Sequence, residues 1–256
     1  MTSSLPLLLA VKKADLLDVQ TYTALYRQAT ASRRERTDRF MRREDKCRSI
    51  VGEALVRFIL RERSGKELDD AMIIINQFGC PSIPAAGFNY SVSHSGRWVI
   101  CAADTGTIGA DVECMHKVSD GIAERFFCPE EVGYIDEGNS DAERQQRFFT
   151  LWVLKESYIK ALGRGFNCPL SSFACLPDPS GSGWKLKRND PTLPECFFTL
   201  HNLGYPVPPP TVKMDYAKPD GDFCCTHMCA SCAGQPGRAP HLMILTPQDL
   251  VSALEK

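Results

Sequence analysis

The stretch "FFTLWVLKESYIKALGRG", Phe148–Gly165, decides the fold, because it reads as a helix that carries charge on and beside its apolar side. At 100° per residue, Phe148, Leu151, Trp152, Ile159 and Leu162 form one stripe, with Glu156 and Lys160 along its border. Lys155 falls inside the stripe, so its stem must be buried and its ammonium must either reach solvent or find a partner. Gly163 and Gly165 close the helix. An ordinary i,i+4 ion pair accounts for Glu156 and Lys160 on its own. The alternative is that the helix packs on another acidic segment and shares a ligand with it.

"TIGADVEC", Thr107–Cys114, is that segment. Ile108, Ala110 and Val112 alternate with Gly109, Asp111 and Glu113, so a strand turns both carboxylates to one face. Adjacent like charges repel and acids are depleted in strands, so a bound cation is a reason for the pair. Glu156 can complete a three-carboxylate oxygen set suited to Mg²⁺, with Lys160 turned to an anionic ligand. "FNYSVSHSGRW" places Ser93, His94 and Ser95 before a tight turn at Gly96, a group of small donors that resembles a phosphate-contacting edge.

The rest of the chain bounds the class. Its 256 residues, formal charge of −1 and 43% apolar content describe a soluble globular chain with no general attraction to nucleic acid or membrane. The opening "MTSSLPLLLAVKK" reads as a first strand rather than a signal peptide, and the expected location is cytoplasmic. Twelve scattered cysteines are expected to be mostly reduced. Within "CCTHMCASC", Cys224, Cys225, His227, Cys229 and Cys232 read as a buried strand rather than a zinc site, because one short extended segment does not close a tetrahedron.

Helices are expected over "ADLLDVQTYTALYRQAT", "SIVGEALVRFILRERSG" and "EEVGYI". Strands are expected at "AMIIINQFG", "NYSVSHS", "RWVICAAD", "SFACL", "WKLKR", "CFFTLHNL" and "VKMDY", with a strand and short helix in "HLMILTPQDLVSALEK". The layout is α+β, divided into an N-terminal half, 1–107, and a C-terminal half, 108–256, that carries the acids. "RRERTDRFMRREDKCR", Arg33–Arg48, holds eight bases against four acids and is either a solvated helix face or an anion site.

"RREDKCRSIVGEALVR", "FNYSVSHSGRWVICAAD", "IGADVE", "RFF" and the opening stretch together resemble the surfactin-synthetase-type 4'-phosphopantetheinyl transferases, in that family's order and spacing. The resemblance runs from about residue 30 to 175 and thins afterwards. It implies two similar α+β halves related by a pseudo-two-fold axis, with coenzyme A in the cleft between them. It implies Mg²⁺-dependent transfer of 4'-phosphopantetheine to a serine of an acyl or peptidyl carrier protein, with release of adenosine 3',5'-bisphosphate. Carried over, Asp111, Glu113 and Glu156 hold the metal, and Glu156, Lys160 and His94 serve catalysis. Ser93, His94 and Lys160 meet the coenzyme's phosphates, and Arg33, Arg36, Arg48 and Ser49 meet its 3'-phosphate. The segment after Gly163, with Arg164, Phe166 and Leu170, is implied to meet the carrier, and a monomer is the family expectation. One departure is Cys80 in "FGCP", where the family commonly has lysine. Two competing readings remain at this point: a Mg²⁺-dependent nucleotide phosphodiesterase, and a carrier-binding protein without turnover.

Overall fold

The structure is a computed structural model that describes residues 6–181, 183–203 and 227–255. "VKMDY", Cys224 and Cys225 lie outside the described residues. The first sheet has the order β11-β1-β5-β4, built from β1 (Leu7–Lys12), β4 (Asn89–Ser95), β5 (Trp98–Asp104) and β11 (His241–Leu245). The second has the order β6-β10-β9, from β6 (Ile108–Cys114), β9 (Phe197–Leu200) and β10 (His227–Ala233).

Alternation along these strands builds three cores. Leu7, Leu9, Val11, Val99 and Cys101 face α3 (Arg43–Ser64), α1 (Val19–Gln28) and α7 (Pro247–Leu254). Leu8, Ala10, Ile100 and Ala102 on the opposite face of the first sheet meet Ile108, Ala110, Val112 and Cys229 of the second. Met228, Ala230 and Cys232 then face α6 (Asp141–Leu162). The sheets therefore stack face to face between outer helices, which is the expected α+β class. Cys229 and Cys232, three positions apart on β10, enter different cores.

The last elements of the described chain return to the first sheet. β11 pairs in parallel with β1, Leu9 opposite Met243, and α7 packs on α3, so residues 241–254 complete the first sheet. The remaining elements are α2 (Ala31–Asp38), α4 (Ile122–Phe126), α5 (Pro129–Asp136), a hairpin of β7 (Phe173–Pro177) and β8 (Trp184–Arg188), and a small ribbon of β2 (Ile74–Ile75) and β3 (Pro81–Ser82). The strand expected through "AMIIINQFG" is only two residues long, with Ile74 and Ile75 more than half exposed. Its ladder stops there because Asn76 opens a turn, and Pro81 opposite Ile75 has no N–H to donate. Among the described residues no helix is long and apolar enough to cross a membrane.

Helix α6 is buried over most of its circumference rather than along one stripe. Val153, Leu154, Lys155 and Tyr158 are fully buried, whereas Trp152 and Leu162, assigned to the stripe, are half-buried. It lies against β6 at Gly109, where a Cβ would fall well inside contact distance of the Ser157 carbonyl and 2.5 Å from the Ala161 nitrogen. Both obstacles are helix backbone, so neither can rotate aside. Gly109→Ala is expected to cost about 3 kcal/mol in urea unfolding through overpacking. Gly133→Ala, on an exposed and unobstructed turn of α5, is expected to gain roughly 0.5 kcal/mol. Equal effects of the two would show that the approach at Gly109 does not constrain the fold.

Candidate active site

The contact at Gly109 brings α6 residues onto the acidic face of β6. Lys160 Nζ lies 2.6 Å from Asp111 Oδ1 and donates to Ser93 Oγ at 2.7 Å. Ser93 itself donates to Asp111 Oδ1 at 2.7 Å, and Ser95 donates to Glu113 Oε2 at 2.8 Å. Asp111 is 2% exposed and Glu156 8% exposed, yet Asp111 Oδ2 and Glu156 Oε1 have no hydrogen-bond partner. A buried carboxylate oxygen left bare is costly.

Electrostatics ties the three acids together. Burial first, and then the charge of Asp111, push the Glu156 carboxyl up to about 7, with a smaller raising effect from Glu113 and an opposing pull from Lys160. Burial and Asp111 likewise raise Glu113, while the Ser95 hydrogen bond lowers it. The sequence led us to expect a three-acid set ready for a cation and a Lys160 facing a ligand. Lys160 is paired with Asp111, and among the described residues no group of three His, Cys, Asp or Glu side chains is already disposed to hold a metal. One Asp111 oxygen is taken by Lys160 and Ser93, and one Glu113 oxygen by Ser95. The two bare oxygens and the mutual repulsion of the acids still fit a hard cation, whose usual ligands are carboxylate oxygens.

Beside these acids is a cleft of about 360 Å³ whose lining includes Arg33, Arg36, Arg48, Ser49, His94 and Lys160. The basic segment thus contributes to a concave surface as well as a solvated helix face. Its members differ in freedom. Arg33 is drawn to Glu53 at 3.1 Å, and Glu53 also accepts from the Thr30 backbone and hydroxyl at 2.7 and 2.9 Å. Arg48 binds Asp45 at 2.6 Å and the Gly96 carbonyl at 2.8 Å. Ser49 is buried and shares its hydroxyl with Thr37 at 2.9 Å. Arg36 is exposed. His94 is solvent-exposed at the cleft mouth, where partial desolvation and then the charges of Arg48 and Lys160 lower its pKa below the usual imidazole value.

Cys80 also lines the cleft, where burial raises its thiol pKa, so it offers no charge in the place of a lysine. Its loop is fastened to the end of α6, because Asn76 Nδ2 donates to the Gly163 carbonyl at 2.8 Å. Gly163 takes a left-handed φ of 61° there to end the helix.

Lys155 finds a partner rather than reaching solvent. Fully buried, it pairs with the equally buried Glu131 at 2.8 Å and donates to the carbonyls of Leu170 and Phe173 at 2.9 and 2.6 Å. Glu131 also accepts from the backbone nitrogens of Cys128 and Cys175 at 2.8 and 2.7 Å. The pair fixes the segment after Gly163. There Arg164 and Phe166 are exposed, but Leu170 is buried and its carbonyl holds Lys155, so Leu170 is unavailable as a surface contact. Glu131 and Glu53 were not found from the sequence, since each looks like one acid of a charged helix. Ser91 was within reach, because its period of two with Ser93 and Ser95 marks a shared face.

Comparison with known proteins gives independent findings. Residues 107–216 match the 4'-phosphopantetheinyl transferase superfamily, and residues 18–106 match the family described as 4'-phosphopantetheinyl transferase, N-terminal. The chain is 39% identical over 194 residues to the 4'-phosphopantetheinyl transferase ffp of Bacillus subtilis, covering 73% of this chain and 84% of that protein. It is 31% identical over 224 residues to psf-1 of Bacillus pumilus, covering 87% and 86%. With Sfp of Bacillus subtilis strain 168 it shares 38% identity over 143 residues, covering 56% and 63%.

His94 supplies a pH test of the cleft. With its pKa lowered by desolvation and by the charges of Arg48 and Lys160, the imidazole is expected to gain its proton in more acid solution than a free histidine does. Pyrophosphate in the cleft is expected to raise that pKa by favouring the charged ring. An NMR titration of the His94 ring reads both values; an unmoved pKa at saturating pyrophosphate would show that His94 does not face the anion.

Proposed function

The chain belongs to the 4'-phosphopantetheinyl transferase superfamily, and from that membership we propose that it moves the 4'-phosphopantetheine arm of coenzyme A onto a carrier-protein serine at the cleft beside Asp111. The observation that carries this reading is the pair of bare buried oxygens on Asp111 and Glu156, next to a cleft lined by arginines. Asp111, Glu113 and Glu156 would hold Mg²⁺. A cation held there would neutralise pyrophosphate charge and would stabilise the charge that develops as the P–O bond breaks.

The chain's own groups supply the rest. The serine oxygen attacks the phosphorus that carries the pantetheine arm, and adenosine 3',5'-bisphosphate departs. Glu156 takes the serine proton directly or through water. Lys160, 29% exposed, has reach to a phosphate oxygen as well as to Asp111. His94 donates to the pyrophosphate, while Ser93, whose proton goes to Asp111 and whose oxygen accepts from Lys160, holds those two groups in place. Arg36 provides an exposed guanidinium for the 3'-phosphate, while Arg33, Arg48 and Ser49, already held by protein partners, shape that subsite and add charge. Arg36 also offsets the neutral Cys80.

The partner is an acyl or peptidyl carrier protein, met by exposed Arg164 and by Phe166, which is 66% exposed. Carrier proteins of this family are acidic, which suits Arg164. The protein acts as a cytoplasmic monomer in this reading.

The direct test incubates the protein with coenzyme A, Mg²⁺ and an unmodified carrier, and weighs the carrier. A gain of one phosphopantetheine is expected; consumption of coenzyme A with an unchanged carrier would identify a phosphodiesterase instead. Asp111→Ala is expected to lower turnover by about a hundredfold or more with the fold kept. Arg36→Ala is expected to raise KM for coenzyme A about tenfold and to change KM for 3'-dephospho-coenzyme A little. Equal increases for both would remove Arg36 from the 3'-phosphate.

A further inference from the structure

Strands β4 and β6 lie side by side but belong to different sheets, with no backbone ladder between them. Hydroxyls join them instead. Ser91, Ser93 and Ser95 alternate along β4, so all three lie on one face. Ser91 Oγ accepts from the Ala110 nitrogen at 3.0 Å, and Ser93 reaches Asp111. Ser95 Oγ accepts from the Cys114 nitrogen at 2.9 Å and lies 2.8 Å from Glu113 Oε2. The direction of this last chain is determined. A backbone N–H only donates, so Ser95 accepts from Cys114, and an ionised Glu113 can only accept, so the Ser95 proton goes to Glu113.

Resting on the assignment of Glu113 as a cation ligand, we propose that Ser95 is a positioning residue that orients the Glu113 carboxylate for the divalent cation. One oxygen, Oε2, is held by a hydroxyl that is itself anchored to the β6 backbone, which restricts the rotation of the whole carboxylate. Partners that fix a ligand in this way typically change metal affinity about 10- to 100-fold when removed. Ser91 provides the internal comparison. It spans the same seam to the β6 backbone but touches no carboxylate.

The test uses the full chain and Mn²⁺ alone, with free Mn²⁺ read by electron paramagnetic resonance. Ser95→Ala is expected to weaken Mn²⁺ binding about tenfold. Ser95→Thr, which keeps the hydroxyl, is expected to stay within about twofold of the parent, and Ser91→Ala is expected to leave the Mn²⁺ affinity unchanged. If Ser95→Ala does not fold, Ser95→Cys, a weaker donor of similar size, is measured in its place, with an intermediate loss expected. Glu113→Ala tests the cation ligand itself, separately from the hydroxyl that orients it. Unchanged Mn²⁺ binding in Glu113→Ala would remove the underlying cation assignment. Weakened binding in Glu113→Ala beside unchanged binding in Ser95→Ala, or in Ser95→Cys where that variant stands in for it, would overturn the role of Ser95 alone. Equal losses in Ser95→Ala, Ser95→Thr and Ser91→Ala would also overturn it, because they would trace the effect to the seam rather than to the hydroxyl.

Discussion

The site depends on how closely the backbone of α6 approaches the backbone of β6. At Gly109 the strand has no side chain, and the helix backbone around Ser157 and Ala161 occupies the space where a Cβ would stand. Two residues on, the same strand face carries Asp111, and the adjoining helical turns carry Glu156 and Lys160. A wider separation would leave Lys160 unable to touch Asp111, which it now meets at 2.6 Å. Backbone proximity is therefore the means by which acids from distant parts of the chain come to share one electrostatic environment. The cost of that convergence is visible in Glu156, whose carboxyl is pushed up to about 7 by burial and by its neighbours.

Two buried ionic anchors frame this contact. On the far side of α6, the Lys155–Glu131 pair collects two backbone carbonyls and two backbone nitrogens, so that every charge leaving water receives several partners. Such a pair adds little net stability over an apolar substitute, yet it specifies which loop packs where. On the near side, Glu53 fixes Thr30 and Arg33 and so sets the start of α2 against α3. Between these anchors the cleft keeps Arg36 exposed, while Arg33 and Arg48 are held by carboxylates of the protein.

Much of the site could be read from the sequence because its parts follow local periods. The alternation in "TIGADVEC" determined the face shared by Asp111 and Glu113, and helical spacing set Glu156 one turn from Lys160. The family resemblance joined those segments, and the comparisons uphold it. What local periods could not carry is partnership. Lys155 announced a burial problem, but Glu131 lies in another helix and nothing in its own neighbourhood marks it. The parallel pairing of β1 with β11 joins the two ends of the chain, so no local pattern could assign residues 241–254 to the first sheet. Three consecutive isoleucines suggested a buried strand at residues 73–75, where a turn at Asn76 and a proline opposite Ile75 leave a two-residue ribbon. Helical spacing placed Lys160 on the border of the stripe but could not name Asp111, on a distant strand, as its partner at 2.6 Å.

In the proposed reaction Asp111, Glu113 and Glu156 would turn their carboxylates to one divalent ion beside the pyrophosphate of coenzyme A. The most direct measurement is anomalous diffraction from crystals of the protein grown with coenzyme A and Mn²⁺. A single manganese peak is expected at about 2 Å from oxygens of Asp111 and Glu156, with Glu113 in or next to its coordination sphere. A peak away from these residues, or coenzyme A seated in the cleft with the Glu156 carboxylate turned from Asp111, would contradict the account.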